Sequence, residues 1–176
     1  MEWRKTTLEE LIDRAKKKDE NAFTEAVLLI QQELYLIAKA KLKNEADIDD
    51  AMQETMIASY QNIHKLKQVQ YFKTWIIKIL INQCNKIYRK NNKKQVSLEE
   101  MEESLLSDEF LEEDISFLML IQHLNNEEQL ILTLYYCSCY TTKEISQLLK
   151  INENTIRTKM LRAKGKLRKE YNLEGE

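Results

Sequence analysis

The sequence predicts an all-α fold, two small helical domains joined by an acidic linker. Three observations carry that expectation. Proline is absent and the only glycines are Gly165 and Gly175, so the tight-turn chemistry of a multi-stranded sheet is missing. Apolar residues recur at spacings of three and four along most of the chain. Side chains suited to helix N-caps stand just ahead of those runs. At 176 residues and 43% hydrophobic, the chain is long enough to bury a real core. Residues 1–164 contain no glycine, which excludes a glycine loop that cradles phosphate, and collagen-like or Gly/Ser-linker readings fail with it.

Taken in order, Thr7 and Glu10 form a capping box for a helix from Leu8 to Lys18. Asn21 or Asp19 starts the next helix, carrying Phe23, Val27, Ile30 and Leu34 to about Leu42. Asn44 to Asp47 reads as a turn, and Asp49 or Asp47 caps a helix with Met52, Met56, Ala58 and Ile63 near one face. Tyr71 to Lys90 is the most apolar helix: Phe72, Trp75, Ile76, Ile79 and Leu80 form its stripe, and Ile77 and Ile81 widen it. The acidic stretch 96–114 follows, with Ile115 to Leu124 helical beyond it. Asn126 to Tyr136 is a helix with Leu130, Ile131, Leu134 and Tyr135 on its apolar side.

The net charge of -2 argues at first against a nucleic-acid binder, but the charge is segregated. Residues 1–95 carry 18 basic and 13 acidic side chains, residues 96–124 carry none and 9, and residues 125–176 carry 9 and 7. Thr55 to Leu98 holds no acid and nine basic residues; Asn154 to Lys169 holds no acid and seven. Two basic stretches separated by an acidic tract from Ser97 to Asp114 imply two surfaces for a polyanion and a connector. Solvated helix faces are the plainer reading of either stretch alone.

The charged N-terminus shows no secretory h-region, and the densest apolar run, Trp75 to Ile81, is too short to span a bilayer. Cys84, Cys137 and Cys139 are an odd number without an export signal, which suggests a reduced, cytoplasmic protein with idle thiols. His64 and His123 are too remote for metal spacing. No catalytic constellation, metal site or cofactor motif is visible, so a non-enzymatic role is expected.

The C-terminal third is the most specific part. Thr141-Thr142-Lys143-Glu144 is another capping box, opening a short helix from Thr142 to Leu149 with Ile145, Leu148 and Leu149 inward. Lys150-Ile151-Asn152 is a tight connection; Asn152 is a good N-cap, and Ile151 can staple onto Ile156. A longer basic helix runs to about Glu170 with Ile156, Met160, Leu161 and Leu167 as its apolar set. This is a helix-turn-helix arrangement. Asn154, Thr155, Arg157, Thr158 and Lys159, with Arg162 one turn on, stand where base edges are read; Lys164, Lys166, Arg168 and Lys169 suit phosphates.

Glu144-Ile145-Ser146-Gln147-Leu148-Leu149 followed by Thr155 to Lys164 resembles the C-terminal domain of bacterial sigma factors. The match is to the extracytoplasmic-function (ECF) group, which keeps only the domains called sigma2 and sigma4. Asp49 to Thr55 is similar to that family's polymerase-binding helix, and Phe72 to Ile76 with Ile79 and Asn82 to its promoter-melting helix. Departures are Asn125, where proline is common, Tyr135, where arginine is common, and Lys86, where an acid is common.

The resemblance implies a sigma2-like domain over residues 1–95, an acidic linker over 96–114 and a sigma4-like domain over 115–176. It implies that Asp49, Asp50, Gln53 and Glu54 meet the β′ clamp helices of core RNA polymerase, with the β flap as a second contact. It places Lys78, Asn82, Lys86 and Arg89 against the −10 promoter element, and Asn154, Thr155, Arg157, Thr158, Lys159 and Arg162 on the −35 element. Tyr71, Phe72 and Trp75 are candidates to stack on unpaired bases, although core packing is the better reading of Phe72 and Trp75. The implied protein is a monomer when free, is not inserted in a membrane and is held inactive by an anti-sigma factor. The alternatives are a stand-alone helix-turn-helix regulator, and a helical interaction protein whose basic faces are merely solvated.

Overall fold

The computed structural model describes residues 7–94 and 112–171. All regular structure among the described residues is helical: α1 (Leu8–Lys16), α2 (Glu20–Leu28), α3 (Gln31–Lys39), α4 (Glu45–Asn62), α5 (Phe72–Lys94), α6 (Glu112–Ile121), α7 (Asn126–Tyr136), α8 (Thr142–Leu149) and α9 (Glu153–Glu170), with 3-10 turns at Ile63–Lys65 and Val69–Tyr71. Most of the acidic tract lies outside the described residues.

Helix starts follow the caps. The Thr7 hydroxyl accepts from the Glu10 N–H at 3.2 Å while the Glu10 carboxylate accepts from the Thr7 N–H at 2.9 Å. Asp19 caps α2 by accepting from the Ala22 N–H at 3.0 Å. Asn125 and Thr141 build the same reciprocal box with Glu128 and Glu144. Each such cap satisfies backbone donors that the first turn leaves without partners.

Two expectations about the first half are corrected. The single helix expected from Asn21 or Asp19 to about Leu42 breaks at Leu29 and Ile30 into α2 and α3. Val27 to Ile30 are four consecutive apolar residues, which one helical face cannot bury together. The break leaves Leu28 and Leu29 about three-fifths exposed while Ile30, Leu34 and Ile37 enter the core. The N-cap of α4 is Asn44, whose Oδ1 accepts from Ala46 and Asp47, not Asp47 or Asp49. Asn44, three residues ahead of Asp47, adopts the extended backbone of an N-cap, so Asp47, Asp49 and Asp50 ride inside the first turns.

α4 and α5 form the most extensive helix pair. The buried stripe of α4 is Ile48, Ala51, Thr55 and Ser59, small enough after Ile48 for close approach. The hydroxyls of Thr55 and Ser59 bond back to the Ala51 and Met56 carbonyls, so no polar atom there lacks a partner. Asn91 Nδ2, near the end of α5, donates to Asp47 Oδ2, near the start of α4, at 2.6 Å; the helices therefore run antiparallel. Phe72, Ile76, Ile77, Leu80 and Cys84 of α5 are fully buried, each large apolar side chain contributing about 1.5–3 kcal/mol. Trp75 is half-buried against that core, its ring centroid 6.1 Å from that of Phe72.

The apolar core is continuous between the N-terminal and C-terminal helices. α3 packs on α7, Asn126 Nδ2 donates to the Lys41 carbonyl at 3.0 Å, and the buried Tyr140 places its hydroxyl 3.1 Å from Thr74 Oγ1. In α7, Leu130 to Leu134 are buried but Tyr135 is exposed, which corrects its expected inward placement. In α9 the buried set is Ile156, Met160, Ala163 and Leu167. Leu161 is 72% exposed, against expectation: five positions beyond Ile156, it lies about 140° around the helix.

Candidate nucleic-acid interface

The turn between α8 and α9 sets how α9 is presented. Lys150 ends α8 in the left-handed region, φ 57° and ψ 40°, and the Ile151 N–H returns to the Ser146 carbonyl at 3.1 Å. A left-handed C-terminal residue is the usual way to turn a chain sharply off a helix. Asn152 Oδ1 then accepts from the Asn154 N–H at 2.9 Å, and α9 begins.

Opposite the buried set, Asn154, Arg157, Thr158, Leu161 and Arg162 are exposed along one stripe of α9 at helical spacing, and Arg168 and Lys169 continue it. Thr155 is exposed beside it. Thr158 Oγ1 donates to the Asn154 carbonyl at 2.9 Å. Arg157 Nη2 donates to Glu153 Oε1 at 2.8 Å, and Thr142 Oγ1 donates to the same oxygen at 2.7 Å. These bonds hold the Glu153 carboxyl below its ordinary range, the Thr142 hydroxyl being the larger cause and Arg157 the next.

Three lysines of α9 are engaged within the C-terminal helices. Lys159 Nζ bonds Glu127 Oε2 of α7 at 2.6 Å and is half-buried. Lys166 Nζ bonds both oxygens of Glu128, at 2.7 and 2.8 Å. The Glu128 side chain is only 6% exposed, and a buried carboxylate requires such a partner. Lys164 Nζ sits over the rings of Tyr135 and Tyr136, 6.0 and 5.4 Å from their centroids. The count of basic residues in the sequence gave no sign of these internal pairings, because their partners lie about 30 residues away.

On α5, Lys78, Asn82, Lys86 and Arg89 are all exposed, and their spacing of four, four and three puts them on one face. A shallow concavity there is lined by Ile79, Asn82, Gln83, Asn85, Lys86 and Arg89. Gln83 Oε1 accepts from Lys86 Nζ at 3.1 Å. Gln83 and Asn85 extend the row of amides beyond what the sequence reading singled out; the signal was the run Asn82-Gln83 with Asn85 after it. Tyr71, 59% exposed, stands at the other end of α5, whereas Phe72 is fully buried.

On α4, Asp49, Asp50, Gln53 and Glu54 are exposed together. Ile57 and Tyr60 continue the Asp50–Gln53 row at helical spacing and are 46% and 37% exposed; the sequence reading passed over both. Cys84 is buried, Cys137 half-buried and Cys139 exposed. Burial pushes the Cys84 thiol up to about 12, which makes it inert.

Residues 27–94 match the family model for Sigma-70 region 2, and residues 115–167 match that for Sigma-70, region 4. The chain belongs to the sigma-70 family. It is an ECF-type sigma factor, a class that directs RNA polymerase to promoters. The ECF RNA polymerase sigma factor SigW of Bacillus subtilis (strain 168) is 25% identical over 175 residues, covering 90% of this chain and 94% of that protein. RNA polymerase sigma factor SigV of the same strain is 25% identical over 136 residues, covering 76% and 81%. Among solved structures, sigma factor RpoE in complex with the anti-sigma factor NepR from Bartonella quintana aligns with a TM-score of 0.71 at 17% identity, covering 87% of this chain and 98% of that one. CnrH in complex with the cytosolic domain of CnrY aligns at 0.67 and 17% identity, covering 95% and 98%. The sigma factor thus shares its helical architecture with both. No helix among its described residues is long and apolar enough to cross a membrane.

Proposed function

We propose that this sigma factor uses three exposed helix faces for three separate contacts. The acidic face of α4, Asp49, Asp50, Gln53 and Glu54, docks on the β′ clamp helices of core polymerase. The α5 face, Lys78, Asn82, Lys86 and Arg89, lies on the −10 element, with Tyr71 available to stack on an unpaired base. The α9 stripe, Asn154, Thr155, Arg157, Thr158 and Arg162, reads the −35 element. Lys159, tied to Glu127, serves mainly to hold α9 on α7. Residues 1–95 and 115–176 act as the two domains and 96–114 as the connector between them.

The observation that carries this reading is the presence of two outward stripes without acids, on α5 and α9, in one chain. Neither stripe alone gives strong selectivity; joined, each raises the other's effective concentration on correctly spaced DNA. Arg157 and Arg162 suit guanine and Asn154 suits adenine in the major groove. Control by an anti-sigma factor belongs to the same proposal, supported by the architecture shared with RpoE, solved in complex with NepR. Run-off transcription from the host genome with purified core polymerase tests it. Initiation at defined positions only when the protein is added is the expected result; no stimulation on any template would refute it.

A further inference from the structure

The geometry points to Glu153 as the positioning residue for base reading at the −35 element: anchored by Thr142, it aims the Arg157 guanidinium into the groove. This rests on the proposal that α9 reads that element.

Glu153 is the first residue of α9 and Thr142 the first of α8. One carboxylate oxygen, Oε1, takes the Thr142 hydroxyl at 2.7 Å and Arg157 Nη2 at 2.8 Å. The carboxylate therefore joins α8 to α9 and to an arginine of the exposed stripe. Glu153 is the only acid of α9 before Glu170. Placed where the helix enters a polyanion's groove, a carboxylate repels phosphate and weakens non-specific binding. Its reward is not stability, since an exposed pair at this spacing contributes little, and the Arg157 side chain is 65% exposed.

The reward is orientation. An unrestrained arginine spreads over many rotamers and loses that freedom on binding. Here the guanidinium is drawn back toward the start of α9, the end that faces base edges in a helix-turn-helix. A single Nη2 contact leaves most of the five N–H donors of the fork for a guanine. The Thr142 bond matters because it fixes the carboxylate, so that the arginine is held by an anchored group and not by a mobile one.

The test is initiation by the full chain with core polymerase on promoters carrying every base at each −35 position. The variants are R157A, E153Q, T142V and T142S. R157A should erase preference at one base pair. E153Q and T142V should lower preference at that same pair by about three- to tenfold, leaving the preferred base and the −10 dependence unchanged. T142S, which keeps the hydroxyl, should restore the native profile; this rescue separates positioning from a general loss of folding. Native preference retained in both E153Q and T142V would overturn the inference alone. So would a changed preference at a different base pair in E153Q, the mark of a glutamate reading cytosine itself. Intact −35 preferences in R157A would overturn the parent reading of α9, and this inference with it.

Discussion

The Tyr140 hydroxyl lies 3.1 Å from the hydroxyl of Thr74, joining the segment ahead of α8 to the first turn of α5 across 66 positions of sequence. Tyr140 is 8% exposed, and burial, ahead of every other cause, raises its pKa. With the Asn126–Lys41 bond, this contact closes the seam between the N-terminal and C-terminal helices.

Removing only the phenolic hydroxyl tests that bond. Tyr140→Phe should cost about 1 kcal/mol, whereas Tyr140→Ala, which also empties a packed site, should cost about 3–5 kcal/mol. Urea unfolding of the free protein measures both. No loss in Tyr140→Phe would show that the ring, and not the hydrogen bond, supplies the whole contribution.

The same seam should open on a promoter. Elements centred at −10 and −35 are about 25 base pairs apart, roughly 85 Å at 3.4 Å per pair. A compact chain of this length has a radius of gyration of about 16 Å. Fluorescent labels on either side of the seam, at Lys43 and Gln122, should show strong energy transfer in the free protein and little in the promoter complex. Unchanged transfer would contradict simultaneous reading of both elements by one chain.

On α4, changing Gln53 and Glu54 together to Ala should weaken core polymerase binding at least tenfold while leaving the melting temperature within a few degrees, because both are exposed. Titration of labelled protein with core polymerase checks this. Unchanged affinity would remove the role assigned to that face.

The Cys84 thiol gives the pH prediction. Its folded pKa, about 12, exceeds the ordinary value of 9.0 because burial penalises the thiolate. A raised folded pKa favours the native state at pH below 9, and that contribution is lost as pH rises from 9 through about 12. Stability should therefore fall over that window, and Cys84→Ala should flatten the fall. At pH 8 a neutral alkylating reagent should modify exposed Cys139 and spare Cys84 until the protein unfolds.

Helix identity was legible wherever cap and periodicity agreed: α8 and the start of α9 follow directly from Thr141 and Asn152. The break between α2 and α3 was not, because Phe23, Val27, Ile30 and Leu34 satisfy one continuous helical stripe and only tertiary packing leaves Leu28 and Leu29 outside. The exposed candidates on α4, α5 and α9 were readable because helical spacing fixes relative facing. The engagement of Lys159 with Glu127 and of Lys166 with Glu128 was not, because ion pairs between helices depend on how α9 crosses α7. Leu161 was misplaced inward for a related reason: its apolar character agreed with the core, but its angle around α9 did not.

The most direct test of the central claim places a photo-crosslinker at Asn82 and, separately, at Arg157, and maps the crosslinked nucleotides in the polymerase–promoter complex. The first position should label the −10 element and the second the −35 element, about 25 nucleotides apart. Labelling of a single common region by both, or no promoter-specific labelling from either, would contradict it.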